Sequence, residues 1–215
     1  MKYRLLIFDW DGTLIDSQAR IVSSFQGATR ELGLRVPSDE SVRNIIGLGL
    51  PEAILKVMPE CDEPTRELIR QGYSRHYLEV DQTPTTLFDG AFDGLGLLKQ
   101  HGYRLSVATG KSRRGLDRVL ADTALANHFE LTKCADETAS KPDPMMLHEI
   151  LEETGLAAEE VLMIGDTSYD LEMARRAGID RVAMSYGVHE VVDLHAFGPL
   201  QVFDHFNELV DWLRS

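Results

Sequence analysis

"FDWDGTLIDS" (residues 8–17) sets Asp9 and Asp11 two positions apart directly behind the apolar run Leu5-Leu6-Ile7-Phe8, and follows them at once with Gly12 and Thr13. A short apolar run bounded by turn residues reads as a buried strand, so here a buried strand ends in paired negative charge. Two carboxylates this close repel, and either one is protonated or a cation lies between them. The groups that resolve the repulsion must come from elsewhere in the chain.

Comparable apolar runs recur at residues 103–108, 161–164 and 181–185, separated by segments with helical spacing. With a first strand over residues 3–8, this alternation predicts a parallel sheet covered by helices. Leu147, Ile150 and Leu151 fall on one helical face, as do Phe206, Leu209, Val210 and Leu213, and core packing accounts for both sets. Residues 17–84 break the alternation and read as helix after helix, through Ile21, Val22, Phe25, Ala28 and Leu32, then Ile54 to Met58, then Ile69, Tyr73 and Tyr77. Pro37, Pro51, Pro59 and Pro64 punctuate this stretch, and Asp81-Gln82-Thr83-Pro84 returns the chain to the alternating pattern. The expected organisation is an α/β doubly wound parallel sheet, a Rossmann-like core of residues 1–16 and 85–215, with an α-helical cap domain inserted over 17–84.

The 215 residues are 43% apolar, enough for a real core. Lys and Arg total 22 against 35 Asp and Glu, a net charge of −13, which argues against nucleic acid or an anionic membrane as the main partner. An anionic substrate would need locally arranged positive charge. Cys61 and Cys134 stand alone, without CxxC spacing or nearby His, so neither a disulfide framework nor a zinc site is expected. Asp9 and Asp11 interrupt the first apolar run before it reaches the length of a signal-peptide core, and no apolar stretch approaches the roughly 18 residues of a membrane span. The expected setting is cytoplasmic. Monomer and homodimer stay open.

In an open parallel sheet, ligands collect at the carboxyl ends of the strands. Asp9 to Thr13 lie at the end of the first run, Thr109-Gly110 at the second, and Gly165-Asp166-Thr167-Ser168-Tyr169-Asp170 behind residues 161–164. Lys141 precedes Pro142, which holds it in an extended segment ahead of a helix. Taken singly, Asp166 or Asp170 caps a helix, Thr109 is a turn residue, and Lys141 is a solvated charge. Their joint occurrence, in order, at successive strand ends favours an active site.

Through these four motifs the sequence resembles the haloacid dehalogenase superfamily, specifically its phosphatases with a helical cap inserted after the first motif, over essentially the whole chain. The resemblance implies Asp9 as nucleophile, Asp11 as general acid and base, and Thr109 and Lys141 as phosphoryl-binding residues. It also implies Mg²⁺ held by Asp9, Asp11 and Asp166, with Asp170 supporting the metal's water shell. The chemistry is coherent: a carboxylate attacking phosphorus divides hydrolysis into two steps, and Mg²⁺ offsets charge on nucleophile and phosphate. Asp11 must instead be protonated for the leaving alcohol and then accept a proton from water. Gly12 permits a tight backbone path, while Thr13 and Gly110 are expected to contact substrate.

Asp11 also separates this sequence from the dehalogenases of the superfamily, which lack a second aspartate there, and from phosphonate-cleaving relatives, which carry a small residue. Gly110-Lys111-Ser112 mimics the end of a P-loop, but the glycine required five residues earlier is Leu105. Lys111 is therefore expected at the surface of a helix start, within possible reach of phosphate. The leading reading is a phosphatase for a small phosphorylated metabolite, of phosphoglycolate or sugar-phosphate type. A sugar phosphomutase and a non-enzymatic regulatory protein on an inherited fold are the alternatives.

The cap is expected to close over the site and set specificity. Gly47-Leu48-Gly49-Leu50-Pro51 reads as a loop between cap helices, with Gly49 and Leu50 as candidate substrate contacts. Arg20, Arg43 and Lys56 are candidates to meet an anionic tail, and His76, beside Tyr73 and Tyr77, reads as packing.

Overall fold

Four consecutive residues with no solvent exposure, Leu5–Phe8, form β1 at the centre of a six-stranded sheet. A computed structural model describes residues 2–215. β1 pairs in parallel with β4 (Arg104–Thr109) on one side and β6 (Val161–Gly165) on the other. Beyond β4 lies β5 (Leu131–Cys134), and beyond β6 lie β7 (Asp180–Met184) and β8 (Val202–Phe203), joined through the short helix α9 (Val191–His195), all strands parallel.

Side chains alternate across a strand, so β1 feeds two cores. Leu6 and Phe8 pack with α5 (Ala91–Gln100), α6 (Arg113–Asp122) and α10 (Phe206–Arg214). Leu5 and Ile7 pack with α7 (Met145–Thr154) and α8 (Ser168–Arg176). Both faces are thus covered, as an all-parallel sheet requires. All four anticipated residues of α10 are buried, while Leu151 of α7 is only half-buried at the rim of its cluster.

The second and third anticipated strands run one residue further than their apolar content, so Thr109 and Gly165 close the strands themselves. β5 and β8 escape the sequence reading for a physical reason. β5 is an edge strand whose Thr132 and Lys133 are half-exposed and only Cys134 is buried, and β8 has two residues.

The chain leaves and rejoins the sheet through a two-stranded antiparallel ribbon, β2 (Ile15–Asp16) against β3 (Thr86–Leu87). Between them come α1 (Gln18–Glu31), α2 (Asp39–Arg43), α3 (Leu50–Val57), α4 (Glu63–Arg75) and a π-helical turn, His76–Val80. Pro51 and Pro64 sit in the first turns of α3 and α4, where the missing N–H costs nothing. Asp62 starts α4 by accepting from the Thr65 N–H at 3.0 Å. Ile21, Val22, Phe25, Ile54, Met58 and Ile69 form a hydrophobic core of their own here. Leu32, at the end of α1, is 37% exposed and contributes nothing to it. His76 is buried with Nε2 3.1 Å from Glu31, a packing role as anticipated. Among the described residues no helix is long and apolar enough to cross a membrane.

Candidate active site

Asp9 follows β1 without a break, its N–H donating to the Ile164 carbonyl at 2.9 Å, so the sheet itself fixes this carboxylate. The chain then turns sharply, with Gly12 at φ +87° and its N–H donating to the Ile15 carbonyl at 2.9 Å. A Cβ at Gly12 would lie 2.2 Å from Asp166 Oδ2, and one at Gly187 equally close to Asp166 Cβ. Asp166 is therefore clamped between two side-chain-free positions. Thr13 Oγ1 donates to Asp166 Oδ1 at 2.7 Å, and the Val188 N–H donates to Oδ2 at 2.8 Å. The sequence reading points the Thr13 hydroxyl at phosphate; in the structure it orients Asp166.

Lys141 is fully buried, with Nζ 2.6 Å from Asp9 Oδ1 and 2.6 Å from Asp170 Oδ1. Asp170 does two jobs. Its Oδ2 accepts from the Thr167 N–H at 3.1 Å and hydroxyl at 2.7 Å in a capping box at the start of α8, while Oδ1 faces Lys141. Asp170 thus caps α8 with one oxygen and meets the buried Lys141 with the other.

Burial drives the electrostatics. It pushes the Asp9 carboxyl well above the ordinary range against the pull of Lys141, and raises Asp166 to about 7 with help from Asp170. Burial also works to lower Lys141, but Asp170 and Asp9 outweigh it and keep the ammonium charged. One carboxylate oxygen from each of Asp9, Asp166 and Asp170 lies within 4.8 Å of the others. Neither carboxylate oxygen of Asp9 has an aligned hydrogen bond among the described residues. An all-oxygen donor set that includes a buried oxygen without a partner, Asp9 Oδ2, fits a hard divalent cation.

The Asp11 carboxylate stands apart from this group of three, so the expected metal-ligand role of Asp11 has no counterpart in where its side chain lies. Both of its oxygens lie 2.9 Å from Lys111 Nζ, and Ser17 Oγ donates to Oδ1 at 2.5 Å. The side chain turns toward a cation of its own and away from Asp166. Lys111 is likewise not the surface residue expected. Ser112 caps α6, leaving Lys111 one position outside the helix, and its side chain folds inward to 8% exposure under Tyr77, whose hydroxyl accepts from Nζ at 3.2 Å.

Thr109 is buried, and its Oγ1 accepts from the Lys111 N–H at 3.2 Å. The loop ahead of α3 comes down onto the strand ends here: Gly49 N–H donates to Ser140 Oγ at 2.8 Å, and a Cβ at Gly110 would lie 2.5 Å from the Gly47 and Leu48 carbonyl oxygens. Gly110→Ala should therefore displace that loop and destabilise the protein by about 1–3 kcal/mol, with kcat/KM falling alongside. Thermal unfolding and kinetics on the same preparation check this, and a variant matching the parent in both removes the contact from the account.

Between loop and strand ends lies a cavity of about 310 Å³ bordered by Asp9, Asp11, Thr109, Gly110, Lys111 and Leu50. Arg20, Arg43 and Lys56 do not border it. Arg20 donates to the Tyr77 carbonyl, Arg43 lies 3.7 Å from Asp39, and Lys56 donates to Tyr169 Oη at 2.6 Å. The sequence reading passed over the loop after β7, where Tyr186 Oη donates to the Thr13 carbonyl at 2.7 Å beside Gly187 and Val188. The strand-end rule applied to residues 181–185 would have found it.

Residues 6–184 match the family model of the haloacid dehalogenase-like hydrolases. The chain belongs to that family. A protein of Dickeya dadantii named as a probable phosphatase, IndB, is 36% identical over 96% of this chain and 91% of its own length. A phosphoglycolate phosphatase of Colwellia psychrerythraea is 30% identical over 98% of this chain and 96% of its own. The structure of a haloacid dehalogenase-like hydrolase from Bacteroides fragilis superposes with a TM-score of 0.90 at 27% identity, covering 97% of this chain and all of that one. This haloacid dehalogenase-like hydrolase is an enzyme, and these full-length relatives place it among the phosphoric monoester hydrolases.

Proposed function

We propose that the chain is a Mg²⁺-dependent phosphatase that passes the phosphoryl group of a small phosphomonoester first to Asp9 and then to water. The observation that carries this reading is the buried Asp9 carboxylate at the floor of a cavity, one oxygen paired with Lys141 and the other without a partner among the described residues, beside the Asp166–Asp170 pair. Asp9, Asp166 and Asp170 would hold the metal, which when bound offsets the negative charge that nucleophile and phosphate bring together.

In the first step an Asp9 oxygen attacks phosphorus, the bond from phosphorus to the alcohol oxygen breaks, and Asp11 gives its proton to that oxygen. In the second, Asp11 takes a proton from water, the water oxygen bonds to phosphorus, and the bond to Asp9 breaks. Lys141 and Thr109 bind phosphoryl oxygens from the floor. Lys111, paired with Asp11, gains a second anionic partner when phosphate arrives, freeing Asp11 for the alcohol. Residues 17–84 act as a cap domain over a core of 1–16 and 85–215, moving on the β2–β3 ribbon to exclude water. Free thiols at Cys61 and Cys134 accord with a cytoplasmic setting.

Asp166→Ala should weaken apparent Mg²⁺ affinity by at least about tenfold, the loss that even outer-shell changes produce, with activity falling in parallel. Titrating phosphate release against Mg²⁺ tests it, and a parent-like Mg²⁺ dependence would remove Asp166 from the metal site. Release of free phosphate, rather than its transfer to a second sugar hydroxyl, separates this reading from a mutase.

A further inference from the structure

The cavity above Asp9 continues between the helices of residues 17–84, and its character changes on the way up. Near the strand ends it is polar. Higher, its wall is Ile21, Phe25, Ile45, Leu50, Tyr73 and Leu78. The Phe25 and Tyr73 ring centroids are 6.1 Å apart, and Tyr73 stacks on Tyr77 at 5.8 Å with 28° between planes, making a continuous aromatic side. At about 310 Å³ the space exceeds what a phosphoryl group needs and suits the body of a small ligand.

The charges bordering this space do not favour a second anion. Lys111 is engaged by Asp11 and Tyr77 and, in the reaction proposed above, by the phosphate itself. Arg70 is held by Glu67 through two bonds of 2.6 and 2.7 Å and is half-exposed. Opposing them are the carboxylates of Glu52 and Asp136. A ligand carboxylate here would shed its water with no free cation to receive it and with acids nearby. An uncharged ring or alkyl body would instead exchange water for apolar wall and gain by burial.

Resting on the phosphatase reading above, we infer that the cavity selects phosphate monoesters whose alcohol is uncharged and apolar or aromatic, in preference to esters such as phosphoglycolate that carry a carboxylate beside the phosphate. The selectivity resides in the wall formed by α1, α3, α4 and the loop ahead of α3, and is separate from the groups that handle the phosphoryl transfer.

The test compares benzyl phosphate with phosphoglycolate, both esters of primary alcohols, by Mg²⁺-dependent phosphate release from the unmodified protein. The expected result is a kcat/KM higher for benzyl phosphate by about tenfold or more, the discrimination that small changes in an apolar pocket produce, carried largely by KM. Equal or better use of phosphoglycolate overturns the inference and leaves the phosphatase reading standing. Release from neither ester overturns the phosphatase reading, and this inference with it. Leu50→Arg adds a cation to the wall at a half-buried position. It should lower the benzyl-to-glycolate ratio by about tenfold, and an unmoved ratio in a folded variant also overturns the inference.

Discussion

Asp9→Asn abolishes Mg²⁺-dependent phosphate release, lowering kcat by roughly 10⁴-fold or more, as loss of a covalent nucleophile does. The amide keeps the shape of the side chain but lacks a carboxylate oxygen able to bond phosphorus. It also removes a charge that burial disfavours, since the Asp9 carboxyl is held well above its ordinary range by desolvation. The variant should therefore fold like the parent in metal-free buffer, so the lost rate is not explained by unfolding. Single-turnover phosphate release and a thermal melt on the same preparation decide it. Substantial turnover by folded Asp9→Asn protein would remove Asp9 from the nucleophile's role.

Lys141→Met should damage stability and rate together. Its ammonium lies 2.6 Å from both Asp9 and Asp170 with no solvent contact, and Asp166 adds a third buried acid nearby. Taking away the cation leaves buried carboxylates uncompensated, a loss of about 3–5 kcal/mol when one partner of a buried pair is removed. Added Mg²⁺ should restore part of that stability, because it supplies positive charge to the same acids. It should not restore kcat, which falls by about 10²-fold or more once a preorganised phosphoryl contact is gone. Denaturant unfolding with and without Mg²⁺, beside kinetics at saturating metal, checks both halves. An unfolding midpoint in metal-free buffer equal to the parent's would contradict the pairing.

Much of this was legible in the sequence because it depends on local pattern. The apolar run ending at Phe8 is a central strand whose alternate residues enter two cores, and the helical spacing of Ile21, Val22 and Phe25 buries one face of α1. Asp9 and Asp166 stand out because a charged residue at the end of a buried strand needs a reason, Asp170 and Lys141 because they belong to the same ordered set of motifs, and the four side chains meet in space. Long-range geometry was not legible. Nothing local indicates that Lys111 folds inward onto Asp11, 100 positions away, or that Tyr77 descends to cover it. Gly187 and Val188 carry no charge to attract notice, yet they fix Asp166 through a bare backbone and one N–H. The same limit misjudged Arg20, Arg43 and Lys56, which face protein groups or solvent instead of the cavity. Composition alone cannot say which way a long side chain turns.

The central claim is that the phosphoryl group passes through Asp9, and trapping it there is the most direct measurement. Asp11→Asn should retain the first step with para-nitrophenyl phosphate, whose leaving group needs no proton, while slowing the second, which needs a base for water. Mixing this variant with the ester and Mg²⁺ should give a burst of nitrophenolate close to one equivalent per site. Acid quenching followed by borohydride reduction should then convert Asp9, and no other residue, to homoserine in the peptide spanning β1 and the following turn. A burst with Asp9 unmodified, or with the phosphoryl group on another side chain, would contradict the account.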